Sequence, residues 1–159
     1  MNKVSTDLHV VGQRSARKDA VPKTTGTATY TVDVSFPGML QAKVLRSPHA
    51  HARITSIDAS AAREMPGVHA VITRDDLDGL SPTYGYFIKD QPIVAMDKVR
   101  YIGDAVAAVA AETELQAVAA LERITVEYEV LPTVATVEDA MAETAPELFE
   151  EEPMGVVPA

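Results

Sequence analysis

An α+β fold is predicted for this 159-residue chain, and three observations predict it. Short strand-like stretches mix with brief helical ones, hairpin-sized links outnumber crossovers, and no domain boundary is evident before about residue 145. A mixed, mostly antiparallel sheet with a few short helices is therefore expected. Hydrophobic residues make up 47% and charged residues 23%, enough apolar material for a domain with a buried core. Aromatics are only 5% and Trp is absent, so Ala, Val, Ile and Leu must fill that core.

Residues 1–20 carry no sustained hydrophobic period, and an extended or disordered arm is expected there. Thr24 to Thr31 is rich in β-branched residues and reads as a strand weakened by Gly26. Pro37-Gly38 is a turn, after which Met39 to Arg46 reads as a strand that Ser47-Pro48 stops. Arg53 to Asp58 is a second short strand, and Asp58 is placed to cap a brief helix over Ala59 to Met65. Pro66-Gly67 ends that helix. Val68 to Thr73 follows as a strand, with Val68, Ala70 and Ile72 on one face and Val71 on the other.

From Asp75 to Pro92 the breakers Gly79, Pro82, Gly85 and Pro92 predict a long irregular loop, which carries Tyr84, Tyr86 and Phe87. Gly103-Asp104 is a hairpin-type dipeptide, and the run Ala105 to Ala111, apolar on both faces, predicts a buried central strand. Thr113 to Gln116 has the capping-box spacing, and Leu115, Val118, Ala119 and Leu121 give an expected apolar helix face. Ile124 to Leu131 alternates, with Ile124, Val126, Tyr128 and Val130 inward and Glu127 and Glu129 outward. Thr136 is placed to cap a last short helix.

Composition excludes several kinds of chemistry. With no cysteine there is no disulfide framework, no thiolate cluster ligation and no thiol nucleophile in this chain. The net charge of −9 is uneven: every basic residue lies at or before Arg123, and nine carboxylates from Glu127 to Glu152 have no base among them. That stretch would repel phosphates, so nucleic acid is not an expected partner. A solvated face is the plain reading of it, and a patch that docks another subunit is the alternative. No apolar run approaches the ~20 residues of a membrane helix, and no secretory signal opens the chain. A cytoplasmic protein with no membrane partner is expected.

Walker A, GxGxxG, GxSxG and HExxH patterns are all absent. His49-Ala50-His51 puts two imidazoles on one face of an extended segment, but no third ligand lies nearby. Turn or packing roles are expected for them, and no metal site. Asp75-Asp76 resembles a catalytic carboxylate pair only in spacing, and surface roles are expected.

Several segments, in order, nonetheless resemble a known family. They are Gly12-Gln13-Arg14 through Asp19, Lys23 to Asp33, Leu45-Arg46-Ser47-Pro48-His49-Ala50-His51-Ala52-Arg53-Ile54, Pro66-Gly67-Val68, Asp75-Asp76-Leu77, Asp97 to Ala107, and Val126 to Pro132. Together they resemble the α/β hammerhead domain that begins the molybdenum-binding large subunit of the xanthine dehydrogenase/aldehyde oxidase (molybdenum hydroxylase) family. Ala105 departs from the proline often found there, and Thr133 from the small residue that follows Leu-Pro.

The resemblance implies a structural and substrate-access domain of an oxidoreductase, inactive alone. It implies molybdopterin in the complete enzyme, with iron–sulfur clusters and FAD in partner domains or subunits. Molybdenum-binding catalytic domains and the iron–sulfur and flavin subunits are then the implied partners, and self-association is expected for the isolated chain. No catalytic, cofactor-binding or metal residue is assigned within it. Tyr84, Tyr86 and Phe87 are the substrate-funnel candidates, because the corresponding loop of the family reaches toward the funnel. The implied layout is an arm over 1–20, the hammerhead over 21–145, and an acidic tail or linker over 146–159. Either a natural split subunit or a truncated chain is expected, and a free-standing interaction module that has lost its catalytic partner is the alternative.

Overall fold

The computed structural model describes residues 12, 14, 16–80, 82–86 and 89–149. They form two compact units, divided between Pro37 and Gly38.

The first unit carries helix α1 (Ala20–Thr25) and a 3₁₀ turn at Thr31–Asp33. The weak strand expected over Thr24 to Thr31 is not there. Thr24 and Thr25 instead turn their hydroxyls back onto the carbonyls of Ala20 and Val21, at 2.9 and 2.8 Å. Gly26, at φ 72°, closes the helix in the left-handed conformation that glycine adopts without a Cβ penalty. Local hydroxyl–carbonyl bonds have overridden the strand preference of β-branched side chains.

The second unit is built from two three-stranded sheets and a two-residue ribbon, and every pairing is antiparallel. One sheet has the order β1 (Gln41–Arg46), β7 (Ala105–Ala111), β3 (Val68–Ile72). The other has β6 (Lys98–Val99), β2 (Ala52–Asp58), β8 (Thr125–Val130). The run Ala105 to Ala111 is thus the central strand that its apolar faces predicted. Gly103-Asp104 does make a turn, with Gly103 at φ 91°, but not a hairpin. It carries the chain from β6 in one sheet to β7 in the other, because β7 finds its partners in β1 and β3.

The core is rich in alanine. Helices α2 (Ser60–Arg63) and α3 (Glu114–Leu121) cover the first sheet, where Ala59, Ala62, Val71, Ala107, Val109, Ala111, Ala117, Ala120 and Ile124 bury together. A second cluster joins Ala52, Ile54, Ala95, Val99 and Val106 under the other sheet. Ile57 and Val126 pack against both clusters and so tie them together. Small side chains let helix and sheet backbones approach closely, which suits a chain short of aromatics.

The expected face of α3 holds for Leu121, which packs against the core, but needs correction at Leu115 and Val118. Leu115 is 83% exposed and Val118 41%, while Ala117 and Ala120 are fully buried. The helix turns its small residues inward because α3 lies close against β1 and β7. Its N-terminus forms as predicted: Thr113 Oγ1 accepts the Gln116 amide at 3.2 Å and donates to the Gln116 side-chain oxygen. The Gln116 side-chain Nε2 in turn donates to Pro66 O, and the same side chain fills the space over Gly67, which sits at φ 79°. A side chain there would be strained by the positive φ and would displace the Gln116 amide.

Other expectations meet small adjustments. Helix α2 is shorter than the expected Ala59 to Met65, although Asp58 accepts both the amide and the hydroxyl of Ser60. In β3 the buried face is that of Val71, and Ile72 is 41% exposed. A register shift between Val68 and Ala70 breaks strict alternation. In β8 the carboxylates face outward as expected, although Val130, at the strand's end, is 65% exposed. Thr136 caps α4 (Val137–Ala140) by accepting the Asp139 amide at 3.1 Å.

Candidate functional site

The aromatic loop is more regular than its breakers suggested. A 3₁₀ turn at Arg74–Leu77 opens it, and β4 (Thr83–Tyr84) pairs with β5 (Gln91–Pro92). The ribbon holds the loop's tip out: Tyr84 is 57% exposed and Tyr86 94%. Phe87 lies outside the described residues. Asp75 and Asp76 do not act as a pair. Asp76 accepts the amide and hydroxyl of Thr73 at 2.8 and 2.9 Å and takes a two-oxygen contact from Arg63. Desolvation pushes the Asp76 carboxyl up, but the Thr73 amide, Arg63 and the Thr73 hydroxyl outweigh it and hold the group below the usual carboxylate range.

The sequence reading missed a second exposed group beside this loop. The turn that links β6 to β7 presents Tyr101 and Ile102, 58% and 70% exposed. The charge of buried Asp104, then burial and a hydrogen bond to the same carboxylate, push the Tyr101 phenol up. Tyr84 adds to that shift and Arg46 opposes it, so all three side chains share one neighbourhood. Arg46 is itself fixed by donating to Gly103 O at 2.8 Å. Two apolar or aromatic side chains flanking a Gly-Asp turn were the available sequence signal.

The His49–His51 segment is a buttress under that turn. Ser47 is buried; its amide donates to Asp104 O at 2.8 Å, and its carbonyl accepts the Gly103 amide at 2.9 Å. Its hydroxyl donates to His49 O and accepts the His49 amide, both at 3.0 Å. The His49 ring meets Tyr128 edge-on, with centroids 4.9 Å apart. Burial pushes the Tyr128 phenol up. His51 is 3% exposed, and its Nδ1 lies 2.7 Å from Pro132 O. A carbonyl only accepts, so Nδ1 carries the proton, and the buried Nε2 finds no hydrogen-bond partner among the described residues. The two imidazoles therefore serve packing and turn roles, as the sequence suggested.

A molybdenum cofactor needs a cradle of free donors for its phosphate and pterin. Among the described residues no three of His, Asp and Glu converge on one point, and three guanidinium groups are already engaged within the domain. Arg63 is committed to Asp76, Arg74 Nη1 to the carbonyls of Ile54 and Met96, and Arg100 to Leu148 O and Lys98 O. Among the described residues no helix is long and apolar enough to cross a membrane.

Two antiparallel sheets bridged by shared core residues, with short helices over one of them, define the class. Residues 25–132 match the aldehyde oxidase and xanthine dehydrogenase, a/b hammerhead domain, and the chain belongs to that family. Among known proteins it is 50% identical over 135 residues to a probable xanthine dehydrogenase subunit of Bacillus subtilis, covering 85% of this chain and 18% of that one. It is 44% identical over 140 residues to the nicotinate dehydrogenase large molybdopterin subunit of Eubacterium barkeri, covering 88% of this chain and 33% of the relative. Carbon monoxide dehydrogenase from Oligotropha carboxidovorans is similar in structure, with a TM-score of 0.78 and 39% identity over 85% of this chain and 17% of that chain. The chain thus spans about a fifth to a third of the length of these relatives.

Proposed function

We propose that the chain serves as the hammerhead domain of a molybdopterin-dependent hydroxylase large subunit, shaping substrate access and not catalytic by itself. One observation carries the reading: Tyr84 and Tyr86 stand exposed on a hydrogen-bonded ribbon instead of packing into the domain's own core. Exposed rings on a supported loop suit the wall of a funnel for flat substrates, since they supply large apolar area at little entropic cost. Ribbon and turn hold them without a share in the core, so their removal leaves the domain intact.

In this reading the molybdopterin is held by other domains or by a separate large-subunit polypeptide, with iron–sulfur and flavin partners carrying electrons away. The cofactor supplies the hydroxylation chemistry; this chain orients and admits the substrate and excludes water from the approach. The cytoplasm is the proposed location, and the arm over 1–20, hammerhead over 21–145 and tail over 146–159 the proposed layout.

Replacing Tyr84 and Tyr86 by Ala in the assembled enzyme tests the reading by steady-state kinetics and melting. The expected result is a raised KM or changed substrate preference with the melting temperature nearly unchanged. A large loss of stability with unchanged kinetics would assign the rings to the fold.

A further inference from the structure

The acidic C-terminal stretch is tied down in an unexpected way. Its carboxylates draw the eye in the sequence, yet two basic side chains of the β6 region hold it by its main chain. Lys98 Nζ donates to Glu147 O at 3.3 Å, and Arg100 Nε donates to Leu148 O at 2.9 Å. The Arg100 guanidinium also lies over the Phe149 ring, 4.8 Å from its centroid. Lys98 is 1% exposed, although it sits on a two-residue strand at the edge of its sheet. Arg100 is in turn braced by Lys98 O at 3.2 Å and Asp97 Oδ1 at 3.5 Å. Lys98 and Arg100 are two residues apart and meet consecutive carbonyls, so two donors and one stacked ring grip three successive residues.

We propose that Lys98 and Arg100 form a main-chain latch that makes Glu147-Leu148-Phe149 the fixed exit of this domain. The latch covers the short edge strand β6 and sets the direction in which the polypeptide leaves it. It rests on the proposed function in one respect: in a large subunit, such a latch fixes how the aromatic loop stands relative to the next domain along the polypeptide. Main-chain acceptors make the grip indifferent to most side chains at 147 and 148, and Phe149 supplies the one side-chain contact. Arginine is needed at 100, because its planar fork donates and stacks at once, which an ammonium does not.

The test uses the full 159-residue chain and needs no cofactor or substrate, so its failure is distinct from a failure of the kinetic test of Tyr84 and Tyr86. Glu-specific proteolysis reads opening at Glu147, with cleavage at Glu122 and Glu127 as the control for general unfolding. Arg100→Ala should speed cleavage at Glu147 by about tenfold, as expected when proteolysis follows the open population, and leave the two control sites unchanged. Arg100→Lys keeps the charge but loses the fork, and should stay on the fast side. Incorporated 4-fluorophenylalanine gives a second readout that global stability does not move. The chain has three phenylalanines, and Phe149→Leu identifies the resonance of position 149. In Arg100→Ala that resonance should move to the free amino acid's position. A Phe149 resonance already there in the unaltered chain would overturn the latch. So would equal acceleration at all three glutamates, or full recovery by lysine.

Discussion

His51 shows how much one side chain of the family-like segment contributes to the fold. Its Nδ1–H bond to Pro132 O joins the start of β2 to the end of β8, beside the main-chain bond from Leu131 N to His51 O at 3.0 Å. Removing the imidazole takes away this part-buried bond and leaves a cavity where the buried ring stood, at a cost of about 1–3 kcal/mol. His51→Ala should therefore lower the urea midpoint accordingly. His51→Asn should lose less, because its amide N–H reaches the same direction and Nε2, which finds no partner among the described residues, is gone. Equal losses from both changes would mean that the ring's volume, and not its hydrogen bond, is what matters. The sequence pointed to packing or turn roles for the His-x-His pair by default, since no third ligand lay nearby. It did not show which carbonyl His51 serves, because Pro132 is 81 residues away. The funnel candidates were legible as aromatic residues in a breaker-rich loop. Tyr101 and Ile102 were not, because nothing in the local pattern separates a turn between two sheets from a hairpin turn.

At the scale of elements, α3 separates hydrophobicity from burial most clearly. Its sequence offers two leucines and a valine at helical spacing, and the fold leaves Leu115 and Val118 outside while Leu121 packs against the core. Pattern rules weight large apolar residues, whereas this helix lies over β1 and β7 with Ala117 and Ala120 as its fully buried residues. Ala117→Leu should therefore destabilise the chain by about 1–3 kcal/mol through overpacking. Leu115→Ala, at an exposed site, should shift stability by less than about 0.5 kcal/mol. Thermal or urea unfolding of the two variants decides the matter, and the reverse ranking would restore the face that the sequence suggested. The strands were more legible: alternation in β8 and the two-sided apolar run of β7 each report a pleated surface directly. Partner choice was not legible. β7 pairs with β1, which lies far back in the chain, and its immediate neighbour β6 pairs elsewhere.

For the molecule as a whole, the charge partition acquires a structural meaning. All the bases lie in the first 123 residues, and several of them reach the base-free remainder: Arg53 lies 3.7 Å from Glu129, and Lys98 and Arg100 hold the main chain of residues 147 and 148. Composition alone suggested a solvated acidic face, because carbonyl acceptors leave no mark in a sequence. Within these contacts the described residues leave no group of carboxylates and imidazoles converging on a metal, while the chain matches about a fifth to a third of molybdenum-hydroxylase relatives. The function proposed above is a division of labour, in which this domain shapes access and the cofactor is held elsewhere. Molybdenum analysis by mass spectrometry tests that division most directly, on the purified 159-residue chain and on the complex assembled with the remainder of a large subunit. The expected result is no stoichiometric molybdenum on the chain alone and a full complement in the complex. Stoichiometric molybdenum on the isolated chain, or a complex that carries none, would contradict it.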